Sequence, residues 1–320
     1  MTETQLREIL YAWPIEFSEV ETREVYDTPL TFVTAITGER YILKNVGEAS
    51  DMSHRTERQH KVTQHLHRNN IPVAYLLTTR HGGFSASDGT DLYILMPALP
   101  REQPNLFGPN SAPIFDNLGR TYARLHDALA EFDKEVDTWS SLFFDRLYER
   151  TAPLLRKSLT GEDLRVVEDL LDTIEEPMRK LSPQLEEQVI LWDCHTGNTI
   201  FSNGQVSGFV DCDHISNGPR VFDIANMASN MIVYDQHPDL IKVWLDRLPV
   251  YVRAYHQTSP LSDAEQQAIA YGIQSFSCVL FAHFLEYGGK PDSAAKTLNA
   301  IRWHQANHDL LHAAVAKGLD

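Results

Sequence analysis

The residues best suited to chemistry in this sequence lie in one stretch, LWDCHTGNTIFSNGQVSGFVDCD, residues 191–213. Asp193 and Asn198 precede the apolar segment TIF, and Asp211 follows the apolar segment VSGFV. A carboxylate can accept a proton from a hydroxyl group. Carboxylate and amide oxygens are also the ligands that Mg²⁺ prefers. The three side chains are therefore candidate ligands for a divalent metal, provided that the fold brings them together.

A β-hairpin is the element expected to do so. Segments 199–201 and 206–210 have strand composition. Asn203 and Gly204 lie between them, and this pair favours a tight turn because both residues tolerate positive φ. A hairpin brings the residues before its first strand close to those after its second, so the three polar side chains are expected at its open end.

Composition limits the class of protein. The chain has 320 residues, 42% hydrophobic and 22% charged, which is ordinary for a soluble protein with a sizeable core and two lobes. No run of 18 or more apolar residues is evident, so no membrane span is expected. The acidic, polar N-terminus is unlike a secretory signal, and three cysteines without metal-site spacing favour a reducing cytoplasm.

The net charge of −16 argues against non-specific nucleic-acid binding, which needs a basic surface. An acidic protein would suit a cationic small substrate or a metal–nucleotide complex. The charge can equally serve solubility alone. Nothing in the sequence indicates an oligomeric state.

Two parts of the chain differ in pattern, with a proline-rich connection after residue 97 as the boundary. The first 97 residues alternate as strands do, and residues 53–69 follow a helical pattern. Residues 98–320 are mainly helical, with the hairpin embedded among the helices. Five segments are predicted as strands of the first part: 18–27, 30–37, 40–47, 73–80 and 91–99. The fold class predicted is thus α+β, with a small five-stranded antiparallel lobe carrying one helix and a larger helical lobe.

This order of features resembles the protein kinases, whose catalytic loop has an Asp five residues before an Asn and a second metal-binding Asp after the next hairpin. The local sequence is similar to the aminoglycoside phosphotransferase and choline kinase-like family, small-molecule kinases with the protein-kinase-like fold. That family reads H-G-D-x-H-x-x-N-x-x-F and then I-D-F-D or similar. This chain has LWDCHTGNTIF and then GFVDCD, with further family-like wording at 118–129 (LGRTYARLHDAL) and 218–225 (GPRVFDIA).

The resemblance implies a bilobal, ATP-binding kinase, with residues 1–97 as the nucleotide-binding lobe and 98–320 carrying the catalytic loop and the acceptor site. The γ-phosphate of Mg·ATP would pass to a hydroxyl of a small molecule such as an amino alcohol, a sugar or an aminoglycoside-like antibiotic. Asp193 would be the base, and Asn198 and Asp211 would be the Mg²⁺ ligands. Nothing in the sequence separates ATP from GTP.

The nucleotide contacts implied by the resemblance lie in the first lobe. Lys44, at the end of the strand RYILK, would contact the α- and β-phosphates, and Glu57 on the following helix would be its partner. Leu95 and Met96 lie in the segment that resembles the hinge between the lobes, where backbone groups would bind adenine.

Other residues have weaker assignments. His195 is expected mainly to shape the loop, and Asp223 to brace the loop backbone from a following helix. Asp213 is either a second metal or substrate contact or a turn residue. His283 and Glu286 are either acceptor contacts or surface residues.

The sequence departs from the family where Leu191 and Trp192 replace the usual His-Gly before Asp193. The indole of Trp192 either lies under the loop or narrows the acceptor site, where it could stack on a ring or cation of the substrate. The alternative function is a nucleotide-binding pseudokinase without turnover. A protein Ser/Thr kinase is a weaker alternative because the glycine-rich loop and an A-P-E-like segment are missing.

Overall fold

A computed structural model of the chain describes residues 3–25, 28–132, 144, 146–234, 236–287 and 291–320. Contacts divide the chain into two units. The first comprises Met1–Arg101 and Ser207–Asp213, and the second comprises Glu102–Val206 and His214–Asp320. Residues 207–213 therefore group with the first unit, whereas the sequence analysis assigned them to the second lobe. The physical reason is backbone pairing, because the Phe209 amide donates to Pro72 O and its carbonyl accepts from the Ala74 amide.

The first unit is built on a five-stranded antiparallel sheet in the order β1-β2-β3-β5-β4. Its elements are α1 (Glu3–Leu10), β1 (Phe17–Val25), β2 (Thr28–Ala35), β3 (Arg40–Glu48), α2 (Ala49–Arg68), β4 (Ala86–Ser87) and β5 (Asp91–Pro97). The predicted α+β fold class, with this sheet followed by a mainly helical part, is confirmed.

Two details of the prediction were wrong. Residues 73–80 form no strand beyond an isolated bridge of Val73 to Phe209, and β4 supplies the fifth strand instead. The apolar run at 73–80 fills the core: Leu76 is fully buried, and the Leu77 amide donates to Leu95 O at 2.9 Å. Helix α1 was also missed. It packs into the same core, next to Trp13, which is fully buried.

The second unit is mainly helical. Its helices are α3 (Ala112–Ala130), a π-helical segment (Arg146–Thr151), α4 (Ala152–Ser158), α5 (Gly161–Leu181), a 3₁₀ turn (Ser182–Gln184), α6 (Val221–Tyr234), α7 (Pro238–Thr258), α8 (Asp263–Tyr287), α9 (Pro291–Ala306) and α10 (His308–Ala316). Strands β6 (Glu187–Ile190) and β9 (Ser216–Pro219) pair antiparallel and frame the loop that contains Asp193.

The predicted hairpin is confirmed as β7 (Thr199–Ser202) paired with β8 (Gln205–Phe209). Asn203 and Gly204 form its turn with φ of +53° and +71°. Two successive positive φ values are what a tight hairpin turn of type I′ requires.

One helix among the described residues, α8, is long and apolar enough over residues 263–286 to cross a membrane by length and composition. The sequence analysis found no such run. Of its most apolar window, 67% is buried within the protein. A buried core helix of a soluble protein meets the same criteria, and the central residues of α8 pack in that way, with Ile273, Ser275 and Cys278 fully buried. All three cysteines of the chain are free and buried.

Gly119 allows the closest approach between α3 and α7. A Cβ atom at this position would overlap the carbonyl oxygen of Tyr251 and lie 2.9 Å from Cβ of Ala254. His126 lies two turns further along α3 and depends on this close approach, because its ring bonds to the Tyr255 hydroxyl of α7.

We expect Gly119→Ala to lower the free energy of unfolding by about 1–3 kcal/mol through overpacking, despite the better helix propensity of alanine. Urea unfolding would measure the change. Arg124→Ala, on the exposed side of the same helix, is the matched control and should leave stability nearly unchanged. A Gly119→Ala protein as stable as the wild type would contradict this packing.

Candidate active site

In the first unit, the predicted nucleotide lysine and the predicted metal ligand are in direct contact. Nζ of Lys44 on β3 forms an ion pair and hydrogen bond with Oδ1 of Asp211. The Lys44 side chain is 23% exposed and the Asp211 side chain 42% exposed. Asp211 has φ of +56°, in the left-handed region that Asp tolerates better than most residues. This conformation ends β8 sharply and turns the carboxylate toward Lys44.

The predicted Lys44–Glu57 pair is not formed. Glu57 lies on the exposed side of α2, where its carboxylate pairs with Lys61 at 2.9 Å. Its pKa is lowered chiefly by the hydrogen bond from Lys61. The residue of α2 that reaches the loop after β8 is Arg55, whose Nη1 lies 3.9 Å from Oδ2 of Asp213. The helix periodicity places Arg55 and Glu57 about 200° apart around the axis, so they cannot share a face.

Asp213 is thereby a partner of Arg55, with only 18% of its side chain exposed. Leu95 and Met96 both lie within β5, and both side chains are buried. The carbonyl of Leu95 accepts the Leu77 amide at 2.9 Å.

In the second unit, Asp193 is held by two neighbours on its own loop. Nδ2 of Asn198 donates to Oδ2 of Asp193 at 2.9 Å and to its backbone carbonyl at 3.1 Å. Nε2 of His195 lies 3.6 Å from Oδ1 of Asp193. Since Nδ1 of His195 accepts the Gly197 amide at 3.0 Å, the ring proton sits on Nε2 and faces the carboxylate. His195 therefore shapes the loop and orients Asp193 at the same time.

The electrostatics of Asp193 favour the ionised form. Burial by itself would raise the pKa of the Asp193 carboxyl. The pKa is nevertheless lowered, because the interactions with His195, His214 and Asn198 together outweigh the effect of burial. A carboxylate with 40% of its side chain exposed remains open to a reactant. Asp193 is thus charged at neutral pH, as a proton acceptor must be.

The loop that carries Asp193 is anchored by a buried carboxylate on α6. Oδ2 of Asp223 accepts the Leu191 amide and Oδ1 accepts the Trp192 amide, each at 3.0 Å. Nε2 of His126 also donates to Oδ2 of Asp223 at 3.1 Å, and Nδ1 of the same ring bonds to the Tyr255 hydroxyl at 2.7 Å. Asp223 and His126 are fully buried. Asp223 therefore satisfies three donors without contact with solvent.

Trp192 is the central residue of a γ-turn. The Asp193 amide donates to Leu191 O at 2.7 Å, and Trp192 between them has φ of +65°. The Trp192 carbonyl accepts Nδ2 of Asn226 at 2.9 Å. The family has glycine here, which adopts this φ without strain. A bulky residue is held at this φ because its amide and its carbonyl are both bonded to side chains of α6.

The remaining predicted residues, His283 and Glu286, lie on α8. Glu286 pairs with Arg150 at 3.1 Å in a half-exposed ion pair. His283 is exposed on the same helix, α8. Sequence reasoning assigned no role to Arg55, Asn226 or His126, although His126 lies in the family-like segment LGRTYARLHDAL, where the family often has L-A-x-L-H. Their contacts depend on which faces of α2, α3 and α6 turn inward, which spacing along the chain does not specify.

Asn198 and Asp211 each offer an oxygen atom of the kind that Mg²⁺ prefers. Asn198 uses its amide nitrogen toward Asp193, which leaves its carbonyl oxygen for a cation. Asp211 uses Oδ1 toward Lys44, and its carboxylate is half exposed. In the part of the chain that the structure describes, no group of three or more His, Cys, Asp or Glu side chains could hold a metal ion. An amide and a carboxylate oxygen are hard ligands, and Mg²⁺ commonly completes its shell with water and phosphate.

Comparison with known proteins identifies the family. The profile of APH, described as the phosphotransferase enzyme family, matches residues 27–261. The chain belongs to the phosphotransferase enzyme family. The predicted resemblance is confirmed, and so is the expectation of an enzyme of the kinase or phosphotransferase class. No curated protein gives a significant sequence match.

Several solved structures share the fold of this chain at low sequence identity. An aminopropanol kinase associated with a microcompartment is 15% identical, with a TM-score of 0.72 over 100% of this chain and 99% of that chain. An amicoumacin kinase in complex with AMP-PNP, Ca²⁺ and Ami is 17% identical, with a TM-score of 0.67 over 96% and 94%. An aminoglycoside phosphotransferase from Alicyclobacillus acidocaldarius subsp. acidocaldarius DSM 446 is 14% identical, with a TM-score of 0.66 over 98% and 95%.

Asp223→Asn should destabilise the enzyme and loosen the loop, because one acceptor oxygen becomes an NH₂ group facing a backbone N–H. We expect a loss of about 3 kcal/mol or more in the free energy of unfolding, as for breaking a buried charged network. Hydrogen exchange at the amides of Leu191 and Trp192 should become faster. Asp239→Asn is the matched control, since that side chain is 89% exposed. Unchanged exchange at both amides would contradict the anchoring role.

Proposed function

We propose that this phosphotransferase moves the γ-phosphate of Mg·ATP to a hydroxyl group of a small molecule, with Asp193 as the base. The observation that carries the proposal is the state of Asp193: it is ionised, partly open, and oriented by Asn198 and His195 on a loop that Asp223 anchors. Positioned carboxylates of this kind accept a hydroxyl proton in phosphoryl transfer.

The reaction places modest demands on the protein. The acceptor oxygen forms a bond to the γ-phosphorus, while the bond from that phosphorus to the bridging oxygen of ADP breaks. The hydroxyl proton passes to the carboxylate of Asp193, whose direction is fixed by the hydrogen bond from Asn198 and the nearby ring of His195. Most of the catalysis then comes from positioning and from neutralising charge on the phosphates.

The negative charge of the phosphates must be neutralised by cations in the site. Lys44 would pair with the phosphates once nucleotide is bound, exchanging its present ion pair with Asp211. Asn198 and Asp211 would supply oxygen ligands for Mg²⁺. The metal, when bound, contributes positive charge next to the phosphate oxygens.

The names of structurally similar proteins support a small molecule as the acceptor. One neighbour is named as an aminopropanol kinase, another as an amicoumacin kinase, and a third as a spectinomycin phosphotransferase in complex with ADP and spectinomycin. These names share a small molecule that carries a hydroxyl group. We therefore propose an amino alcohol, a sugar or an antibiotic of this size as the acceptor, and nucleotide as the donor.

The first test is transfer of labelled phosphate from Mg·[γ-³²P]ATP to pools of amino alcohols, sugars and aminoglycosides, with wild type and Asp193→Asn in parallel. The wild type should label one pool, and Asp193→Asn should lose at least 100-fold of that rate because general-base catalysis contributes that much. Nucleotide affinity, measured by calorimetry, should stay within a few-fold.

Asp239→Asn is the matched control for loss of one carboxylate and should retain full activity. Equal rates for wild type and Asp193→Asn would refute the base assignment. Binding of Mg·ATP by wild type without transfer to any pool would favour the pseudokinase alternative. Label in protein instead of a metabolite would favour a protein kinase.

A second test compares the roles of Lys44 and Glu57. The sequence analysis predicted that these two residues form a pair, whereas in the structure Glu57 pairs with Lys61. Lys44→Met should raise the KM for ATP and lower kcat, since the phosphates lose their cation. Glu57→Gln should leave both constants near wild type because Glu57 forms only an exposed pair with Lys61. Steady-state kinetics of ADP release would measure both. An equal loss in the two variants would indicate that Glu57 supports Lys44 when nucleotide is bound.

A further inference from the structure

The loop that carries Asp193 has a second attachment to α6, in addition to the one at its start. Oγ1 of Thr196 donates a hydrogen bond to Oδ1 of Asn230 at 3.1 Å. Asp223 and Asn226 bind the start of the loop, whereas Thr196 lies near its end. The same helix therefore holds the loop on both sides of the proposed base.

The polar residues of α6 are unusual because the helix is otherwise mainly apolar. Asp223, Asn226 and Asn230 are spaced i, i+3 and i+7, so they share one face of the helix, and all three contact the loop. Ser229 lies beside them and bonds instead to a serine of α8 at 3.0 Å. A buried amide is costly unless it is hydrogen-bonded. The bond from Thr196 therefore accounts for an asparagine at position 230, where only 9% of the residue is exposed.

Thr196 lies in the turn that carries the proposed metal ligand. The carbonyl of His195 accepts the Asn198 amide at 3.0 Å, which closes a four-residue turn with Thr196 as the first of its two central residues. From this turn, the side chain of Asn198 donates to Oδ2 of Asp193 at 2.9 Å. A displacement of Thr196 would therefore move Asn198 with it.

We infer that Asn230, acting through Thr196, is a positioning residue for Asn198 and determines how tightly the site binds Mg²⁺. This inference rests on the proposed function, in which Asn198 is a metal ligand. It gives the two attachments different tasks: Asp223 fixes the segment next to the base Asp193, and Asn230 fixes the turn that presents the amide oxygen. Mg²⁺ requires nearly ideal octahedral geometry, so a small displacement of one ligand weakens its binding.

Calorimetric titration of AMP-PNP, with and without Mg²⁺, tests the inference in the absence of turnover. In wild type, Mg²⁺ should strengthen the binding of AMP-PNP. Asn230→Leu and Thr196→Val are nearly isosteric and remove the hydrogen bond. Each should reduce the gain from Mg²⁺ about 3- to 10-fold, the size expected for one hydrogen bond. The affinity for AMP-PNP without Mg²⁺ should stay at the wild-type value.

Two single variants and a double variant serve as controls. Thr196→Ser keeps the hydroxyl group and should retain the full gain from Mg²⁺. Ser229→Ala removes a buried hydroxyl from the same helix that bonds to α8 and not to the loop, so it should match wild type. Asn230→Leu combined with Thr196→Val should lose no more than either single variant, because both remove the same bond. Additive losses, or an equal loss in Ser229→Ala, would overturn the inference.

The Mg²⁺ dependence of the rate distinguishes a displaced metal ligand from a displaced base. With an acceptor that wild type phosphorylates, Asn230→Leu should need about 3- to 10-fold more Mg²⁺ for half-maximal rate. At saturating Mg²⁺, its kcat should return to the wild-type value. A loss of kcat that Mg²⁺ does not restore would overturn the inference, because it would indicate that Asp193 has moved.

The binding experiment also separates this inference from the proposed function. Suppose that Mg²⁺ strengthens AMP-PNP binding in wild type and less so in Asn230→Leu, but wild type transfers phosphate to no acceptor. The role of Asn230 would then stand, and the kinase reaction with those acceptors would be refuted. If Mg²⁺ does not change the affinity of wild type for AMP-PNP, the inference is wrong whatever the activity.

Discussion

The buried carboxylate of Asp223 is the constraint on which the catalytic loop depends. It accepts the amides of Leu191 and Trp192 and the ring N–H of His126, all with its side chain inaccessible to solvent. A buried charge is stable only when its hydrogen-bonding capacity is satisfied. Its position in the first turn of α6 adds the favourable interaction of an anion with a helix N-terminus. Loop, helix α3 and helix α6 are thus tied to one group, and the direction of Asp193 follows from it.

This arrangement explains why the loop tolerates Leu191 and Trp192 in place of the family's His-Gly. Asp223 and Asn226 bind the backbone of these residues, and any residue except proline supplies the same amides and carbonyls. The side chains are therefore free to change. Leu191 is 4% exposed and replaces a polar contact by packing. Trp192 accepts the left-handed φ because two backbone bonds hold it there, and its indole extends to Arg146 and Phe276.

The sequence predicted features that depend on neighbours along the chain. The pair Asn203-Gly204 predicted the hairpin turn, and the helical pattern of residues 98–320 predicted the mainly helical second part. Features that depend on which face of an element turns inward were not predictable. Glu57 had the right type and the right helix but lies on the exposed side, while Arg55 contacts the loop after β8. The apolar run at 73–80 has strand composition, yet burial in the core and not sheet pairing decides its conformation.

Net charge and local charge give different information about the acceptor. Solvent-exposed charges are screened within about 10 Å at 0.1 M salt, so a net charge of −16 spread over 320 residues acts mainly on solubility and on distant encounter. A half-buried guanidinium stacked on an indole is screened much less and has a fixed direction. Net charge therefore does not indicate which groups of the acceptor the site binds, and the side chains that line the site are the better guide.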